Sequence, residues 1–518
     1  MSSITDPSAW VDAAARNHPA RLFLKTPSGR QYSYASLREH TGRFAAALMQ
    51  RGVVPGDRVA VQVDKSPEAV FLYVACVQAG AVYVPINTAN TPNEVEYFLR
   101  DSQPRLVVIR AGDRGLLEPL ARNAEIPHIE TLGPDGTGSL RDLAARAATD
   151  QLPVVAADAL AAIVYTSGTT GRSKGAMLTR ANLASNAAAL VAAWRFTDRD
   201  VLLHTLPLFH IHGLFAAINT VLASGSSLLL LPKFDADLVL RHLPDVTVLM
   251  GVPTHYTRLL QQPSLNRELT AGMRLFVSGS APLLAAKHDE FRERTGHVIL
   301  ERYGMTETLI NTSNPYEGAR LPGSVGLPLP GIAMRLGAAD PGVVASATDD
   351  VRPLEVTGPN VFAGYWRDPQ KTREEFTADG WFKTGDLGRI DANGYVHIVG
   401  RAKDLVISGG YNVYPKEVEW ELDAVAGVLE SAVFGVPHPD FGEGVTAVVV
   451  CKADAGLSEA GIIDSIRTRL ARYKVPKRIL LVEELPRNAM GKVQKNALRS
   501  TYASLYLENR VRAEPLVP

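Results

Sequence analysis

The chain has 518 residues, several times the roughly 100–200 of one domain, so it has room for two to four domains and a deep core. With 46% hydrophobic and 21% charged residues, and 54 basic side chains matched by 54 acidic ones, disorder, collagen and coiled coil are excluded. No global charge draws such a chain to nucleic acid or an anionic membrane.

Met1 to Ala20 lacks a basic region followed by an apolar core, so no secretory signal is expected and the cytoplasm is the expected location. Arg58–Val63 reads as a strand. The apolar stretch Phe71–Ile86 is broken by Gln78, Gly80 and Pro85 and falls short of the roughly 20 residues that span a bilayer. It predicts a buried helix followed by a strand, with no membrane insertion. Cys76 and Cys451 both sit in apolar runs and read as buried free thiols of a reducing compartment. Further strands are predicted at Leu106–Ile109, Ala161–Tyr165, Val246–Met250 and Arg274–Ser278. A helix is predicted over Ala181–Trp194 with Thr179 as its N-cap, and another opening at Pro253. Strands alternating with helices predict an α/β fold of helix-covered, parallel sheets. Gly337–Asp350 is poor in large apolar residues and reads as an exposed loop. From Ser465 to Ser500, ten Lys or Arg stand against two acids, Glu483 and Glu484, which suits either a polyanionic ligand or a solvated helix and tail.

One segment carries a specific chemistry. Thr166-Ser-Gly-Thr-Thr-Gly-Arg-Ser-Lys-Gly175 is expected between a strand and a helix. Its glycines let backbone N–H groups turn toward an anion, its hydroxyls add neutral donors, and Arg172 and Lys174 add charge. Lys174 is followed by Gly175 rather than Ser or Thr, so this is not a Walker A loop, and the G-x-G-x-x-G of a dinucleotide fold is absent. A plain surface turn is the alternative reading.

Four further segments follow this loop in order: Tyr303-Gly-Met-Thr-Glu307, Thr384-Gly-Asp-Leu387, Gly400-Arg-Ala-Lys-Asp404 and Pro486-Arg-Asn-Ala-Met-Gly-Lys492. Over nearly the whole chain the set resembles the adenylate-forming superfamily of acyl-CoA synthetases, firefly luciferase and peptide-synthetase adenylation domains. The family usually has Pro before the loop lysine, where this chain has Ser173.

The resemblance implies a large N-terminal portion, residues 1–400, that binds ATP and the acid. It also implies a smaller mobile α+β domain, residues 401–518, with its hinge near Lys403. It implies a carboxylate joined to AMP and then passed to a thiol, with ATP, Mg²⁺ and coenzyme A. Thr166, Ser167, Gly168, Thr169, Thr170, Gly171 and Lys174 would take the phosphates. Thr306 would contact the α-phosphate and Glu307 hold Mg²⁺, a hard cation that prefers oxygen ligands. Tyr303 would stack on adenine, lined by Gly279, Ser280 and Ala281. Asp386 would accept the ribose hydroxyls beside Arg401, and Lys492 would clamp the reacting oxygens. Ser408, Gly409 and Gly410 would line the thiol channel.

Finer segments, among them Val277-Ser-Gly-Ser-Ala-Pro-Leu283, Asn311-Thr-Ser-Asn-Pro-Tyr316 and Gly435-Val-Pro-His-Pro-Asp-Phe-Gly-Glu443, look like the malonyl-CoA synthetase branch. Arg302 and His210, beside Met305, would then hold the second carboxylate of malonate or methylmalonate, because a buried cation needs an anion. A salt-bridged Arg302 and a satisfied core His210 are the structural alternatives. A short-chain or aryl monocarboxylate, or stand-alone loading of a carrier protein, are the functional ones. Small molecules, not nucleic acid, are the expected partners.

Overall fold

The computed structural model describes residues 7–148, 151–166, 173–338, 351–409, 411–488 and 491–506. They belong to two compact units. The first draws on Met1–Pro322, Gly326–Ala333 and Val356–Phe382, and the second on Gly323–Val325, Met334–Glu355 and Lys383–Pro518.

The first unit contains two large sheets. One has nine strands, in the spatial order Leu327–Pro328, Leu309–Ser313, Leu300–Met305, Leu275–Ser278, Val248–Gly251, Val201–His204, Ser227–Leu230, Leu22–Lys25 and Gln31–Ser33. Its inner strands run parallel and its edges antiparallel. Val248–Gly251 and Leu275–Ser278 are buried at every position, as strands covered on both faces must be. The other sheet has six strands, in the order His128–Thr131, Leu106–Ile109, Arg58–Gln62, Val82–Pro85, Leu160–Thr166 and Lys174–Thr179. In parallel sheets ligands bind beyond the carboxyl ends of the strands. Those ends here are Lys65, Thr166, His204, Gly251, Ser278 and Met305, or their immediate neighbours.

The expected elements appear with small shifts. The buried helix and strand of Phe71–Ile86 are Pro67–Gln78 and Val82–Pro85. Helix Arg180–Ala193 starts one residue early because Thr179 and Asn182 form a reciprocal cap. Thr179 Oγ1 accepts from the Asn182 N–H at 3.1 Å, and Asn182 Oδ1 accepts from the Thr179 N–H at 2.9 Å. Pro253 opens helix Pro253–Leu260, where its missing N–H costs nothing. Among the described residues no helix is long and apolar enough to cross a membrane. Cys76 is a buried free thiol, whereas Cys451 is free but only half-buried, being the last residue of its strand. The expected loop Gly337–Asp350 lies, from 339 onward, outside the described residues.

A further expectation is corrected. The phosphate loop does not run from strand to helix. Strands Leu160–Thr166 and Lys174–Thr179 pair antiparallel with Thr166 opposite Lys174, so the loop tops a hairpin whose second strand leads into helix Arg180–Ala193.

The second unit is α+β, as expected. A four-stranded sheet, Ala333–Leu336, Arg352–Thr357, Phe382–Ile390 and Val396–Arg401, lies chiefly in it. A five-stranded sheet is built on the hairpin of Val428–His438 and Gly442–Cys451. Alternation along this hairpin makes two cores. Val433, Val445, Ala447 and Val449 pack with Ile462 and Ile466, while Phe434, Val436 and Val448 pack with Leu485 and Leu498.

The basic run Ser465–Ser500 is largely neutralised within this unit. Arg469 pairs with Glu421 at 3.2 Å, Lys474 with Glu417 at 2.5 Å and Arg478 with Glu459 at 3.0 Å. Arg487 pairs with Glu430, Lys495 with Glu419 at 2.6 Å and Arg499 with Asp404 at 2.9 Å. The charge excess is therefore mostly structural, and Lys492 is among the few cations of the run that form no ion pair among the described residues, with Asp386 and Asp404 acting on it only from further off.

Candidate active site

The strand that follows the phosphate loop points its lysine at the expected metal-binding acid through a residue the sequence did not single out. Lys174 Nζ lies 5.5 Å from the centre of the Tyr365 ring, within cation–π range. The Tyr365 hydroxyl donates to Glu307 Oε1 at 3.0 Å. Burial first, then the Glu307 charge, raises the Tyr365 phenol above its ordinary value, so it stays a donor. The Glu307 carbonyl accepts from the Phe362 N–H at 2.8 Å. The turn after Glu307 is tied by Asn360, which donates to the Thr308 carbonyl at 2.5 Å and to Asn311 Oδ1 at 2.9 Å. Thr306, half-buried, enters this turn from strand Leu300–Met305. Among the described residues no group of three or more His, Cys, Asp or Glu could cage a metal. A single carboxylate beside a phosphate site fits Mg²⁺, which takes one or two protein oxygens and completes its shell with water and phosphate.

Beside it lies a cluster of bases. Arg302 is buried on strand Leu300–Met305, and its Nε and Nη2 have no hydrogen-bond partner among the described residues. No carboxylate among the described residues comes within ion-pairing distance of it. Burial draws its guanidinium down to about 9, with Tyr256 pulling the other way. Gly279 lies directly against it, and a Cβ at that position would sit 2.5 Å from the guanidinium carbon. His212 is fully buried. Desolvation first, then Arg302, His210, His255 and His204, hold it far below the usual histidine range. It is therefore neutral, with Nδ1 at 3.4 Å from Ser280 Oγ and Nε2 unpartnered. His210 is half-buried, and its Nδ1 accepts from the His212 N–H at 3.2 Å. His212 heads a π-helix, His212–Asn219, a form frequent at functional sites. The His204 ring anchors it through a 2.8 Å contact from Nε2 to the Gly213 carbonyl oxygen.

Tyr303 and Met305 follow Arg302 on the same strand, with the Tyr303 hydroxyl 4.0 Å from Met305 Sδ. Gly279, Ser280 and Ala281 follow strand Leu275–Ser278, with Ser280 held at a φ of 72°.

On the second unit, Asp386 and Arg401 face one another across antiparallel strands and pair at 3.0 Å. Lys492 ends a tight reversal in which its N–H donates to Asn488 Oδ1 at 3.0 Å and its carbonyl accepts from the Asn488 N–H at 2.9 Å. The residue as a whole is exposed on this unit. Loss of solvent first, then Arg401 and Lys403, bring its ammonium down to about 8 against the opposing pull of Asp386 and Asp404. Lys403 is exposed in the turn Ala402–Asp404. Ser408 is buried and Gly409 exposed, its N–H donating to the Phe441 carbonyl at 2.8 Å.

The structure thus gathers Lys174, Thr306 and Glu307 at one place, and Arg302, Gly279, Ser280 and the histidines at another, all on the first unit. Asp386, Arg401, Lys403 and Lys492 are gathered on the second. Ser167, Gly168, Thr169, Thr170, Gly171 and Gly410 lie outside the described residues. Sequence reasoning missed Tyr365 and His212. The repeated His-x-His of His210 and His212 was the signal available for the latter.

The AMP-binding enzyme model matches residues 11–366, and the AMP-binding enzyme C-terminal domain model matches 417–492. The chain belongs to the AMP-binding enzyme family, and it is an AMP-forming acyl-CoA ligase that uses ATP, Mg²⁺ and coenzyme A. It is 36% identical to the mitochondrial malonate–CoA ligase of Homo sapiens, over 95% of this chain and 92% of that protein. It is 34% identical to the sulfoacetate–CoA ligase of Cupriavidus necator, over 96% and 99%. Among solved structures, ATP-bound MatB from Rhodopseudomonas palustris is 54% identical and superimposes with a TM-score of 0.92, covering 96% of this chain and 99% of that one.

The Gly279–Arg302 contact gives a test. Gly279→Ala should push the guanidinium aside without unfolding the sheet. The expected result is a drop of roughly 10- to 100-fold in kcat/KM for dicarboxylates, a smaller loss for monocarboxylates, and a Tm close to the parent's.

Proposed function

We propose that the enzyme joins malonate, and its α-methyl homologue, to coenzyme A through an acyl-AMP intermediate. The observation that carries this reading is Arg302, a buried guanidinium with two nitrogens unpaired and no acid in ion-pairing distance among the described residues. An isolated buried cation is costly, and removing that cost requires an anion of complementary shape. A short dicarboxylate brings one. Its near carboxylate would sit at the reacting centre while its far carboxylate meets the Arg302 fork, with His210 bonding the other face. The names of the human and Cupriavidus relatives support this reading, since both acids, malonate and sulfoacetate, carry a second anionic group.

In the first half-reaction a carboxylate oxygen attacks the α-phosphorus of ATP, and the bond to the bridging oxygen breaks to release pyrophosphate. Negative charge grows on the phosphoryl oxygens, so placed cations and donors supply most of the catalysis. Lys174 and the loop hydroxyls would hold the outer phosphates, and Thr306 the α-phosphate. Glu307, steadied by Tyr365, would hold Mg²⁺, which offsets phosphate charge. Asp386, paired with Arg401, would accept hydrogen bonds from the ribose hydroxyls. Lys492 would bond the bridging oxygen and the attacking carboxylate. In the second half-reaction the coenzyme A sulfur attacks the acyl carbon and AMP leaves. Backbone rotation near Lys403 would exchange Lys492 for Ser408–Gly410 between the two steps. Cytoplasmic work on small-molecule substrates completes the proposal.

The test is pyrophosphate release with ATP, Mg²⁺ and coenzyme A across malonate, methylmalonate, succinate, acetate and octanoate. Malonate should lead, and Arg302→Ala should cost about 2–5 kcal/mol in malonate kcat/KM, as loss of a buried charge partner does. A leading monocarboxylate, or an unchanged malonate rate in the variant, contradicts the reading.

Lys492 adds a pH signature. Its ammonium must be protonated to act, and its value is lowered from 10.5 to about 8. Acyl-AMP formation without coenzyme A should therefore fall as pH rises through about 8, where an ordinary lysine would keep its proton. Lys492→Arg should remove that limb while thioester formation from supplied acyl-AMP stays intact. A first half-reaction flat to pH 9.5 in the parent enzyme would rule this role out.

A further inference from the structure

One helix grips both stems of the phosphate loop. Helix Pro92–Ser102 is fixed at its start by a reciprocal cap between Thr91 and Glu94, and it carries Tyr97 and Asp101 one turn apart on one face. The Tyr97 hydroxyl donates to the carbonyl of Ser173 at 2.7 Å, the residue just before Lys174. Tyr165, which leads into the loop from the other side, donates its hydroxyl to the Asp101 carboxylate at 2.5 Å. Trp366 closes the frame. Its indole Nε1 donates to the Asp101 carbonyl at 3.0 Å and its N–H to the Gly175 carbonyl at 2.7 Å.

These bonds border an open space at the exit stem. A cavity of about 330 Å³ opens beside it, lined among others by Tyr97, Asp101, Ser173, Lys174 and Trp366. A proline before the lysine would restrict φ covalently, but Ser173 does not.

We propose that Tyr97 is a positioning residue for the triphosphate. Its hydroxyl fixes the Ser173 carbonyl, and with it the direction in which Lys174 leaves the loop, while Asp101 fixes the opposite stem through Tyr165. The inference rests on the assignment of Thr166–Gly175 as the loop that takes the outer phosphates of ATP.

The experiment compares Tyr97→Phe, which keeps the ring and removes one donor, with Asp101→Asn and Lys174→Ala, in the full-length enzyme with its best acid substrate. Loss of one positioning hydrogen bond should lower kcat/KM for ATP in Tyr97→Phe by about 3- to 10-fold. KM for the acid and the rate of thioester formation from supplied acyl-AMP should not move, and Asp101→Asn should shift the same ATP axis. A merely structural tyrosine would lower both half-reactions together, and that result would overturn the proposal. So would unchanged ATP use in Tyr97→Phe while Lys174→Ala is impaired. Unchanged ATP use in Lys174→Ala would overturn the loop assignment itself and the clamp with it. Loss of malonate preference in the parent enzyme would fall on the acid axis alone, so the two readings fail separately.

Discussion

A guanidinium buried without an anion is the constraint on which the acid pocket depends. Arg302 sits on a strand whose neighbours are covered on both faces, so water cannot solvate its Nε and Nη2. The surrounding side chains do not relieve it. Tyr256 donates its hydroxyl to the Val277 carbonyl at 2.7 Å, and His212 is kept neutral by burial and by Arg302 itself. Gly279 gives up its side chain so that the guanidinium fits. The pocket is thus assembled at a cost to the free enzyme, of the kind that a ligand carrying the missing charge offsets on binding.

The parallel sheets explain how distant segments meet there. Side chains just past the carboxyl ends of adjacent strands converge whatever their separation in sequence. Thr205–His212, Gly279–Ala281 and Arg302–Glu307 are three such segments on one sheet, and the phosphate loop is a fourth on the other. Lys65 ties the two sheets where these ends lie, its Nζ donating to the His204 carbonyl at 2.9 Å. The second unit carries its own cluster. There Lys492 forms no ion pair among the described residues, in a run whose other charges are mostly matched by acids from Glu417 to Glu459 and by Asp404.

Much of this was legible from local sequence. Strands such as Leu106–Ile109, the cap at Thr179 and the proline opening at Pro253 are set by residues within a turn or two of each other, and they appear where local chemistry places them. The features missed are non-local. Tyr365 reaches Glu307 across 58 positions. The acids that neutralise the basic run lie on other strands and helices, so a charge count along the chain overstates its free charge. The loop's position in a hairpin was hidden because Lys174–Thr179 is short and runs straight into a helix. His212 was passed over because a histidine's importance here comes from burial beside Arg302, which spacing does not reveal.

The central claim is that a second negative charge, rather than the size of the acid, completes the pocket. The most direct measurement is kcat/KM for malonate against malonamate, its monoamide, which has nearly the same shape but lacks the second charge. The account predicts a loss on the order of 100-fold with the monoamide, because Arg302 would again be buried without an anion. Values for the two acids within about threefold of one another would contradict it.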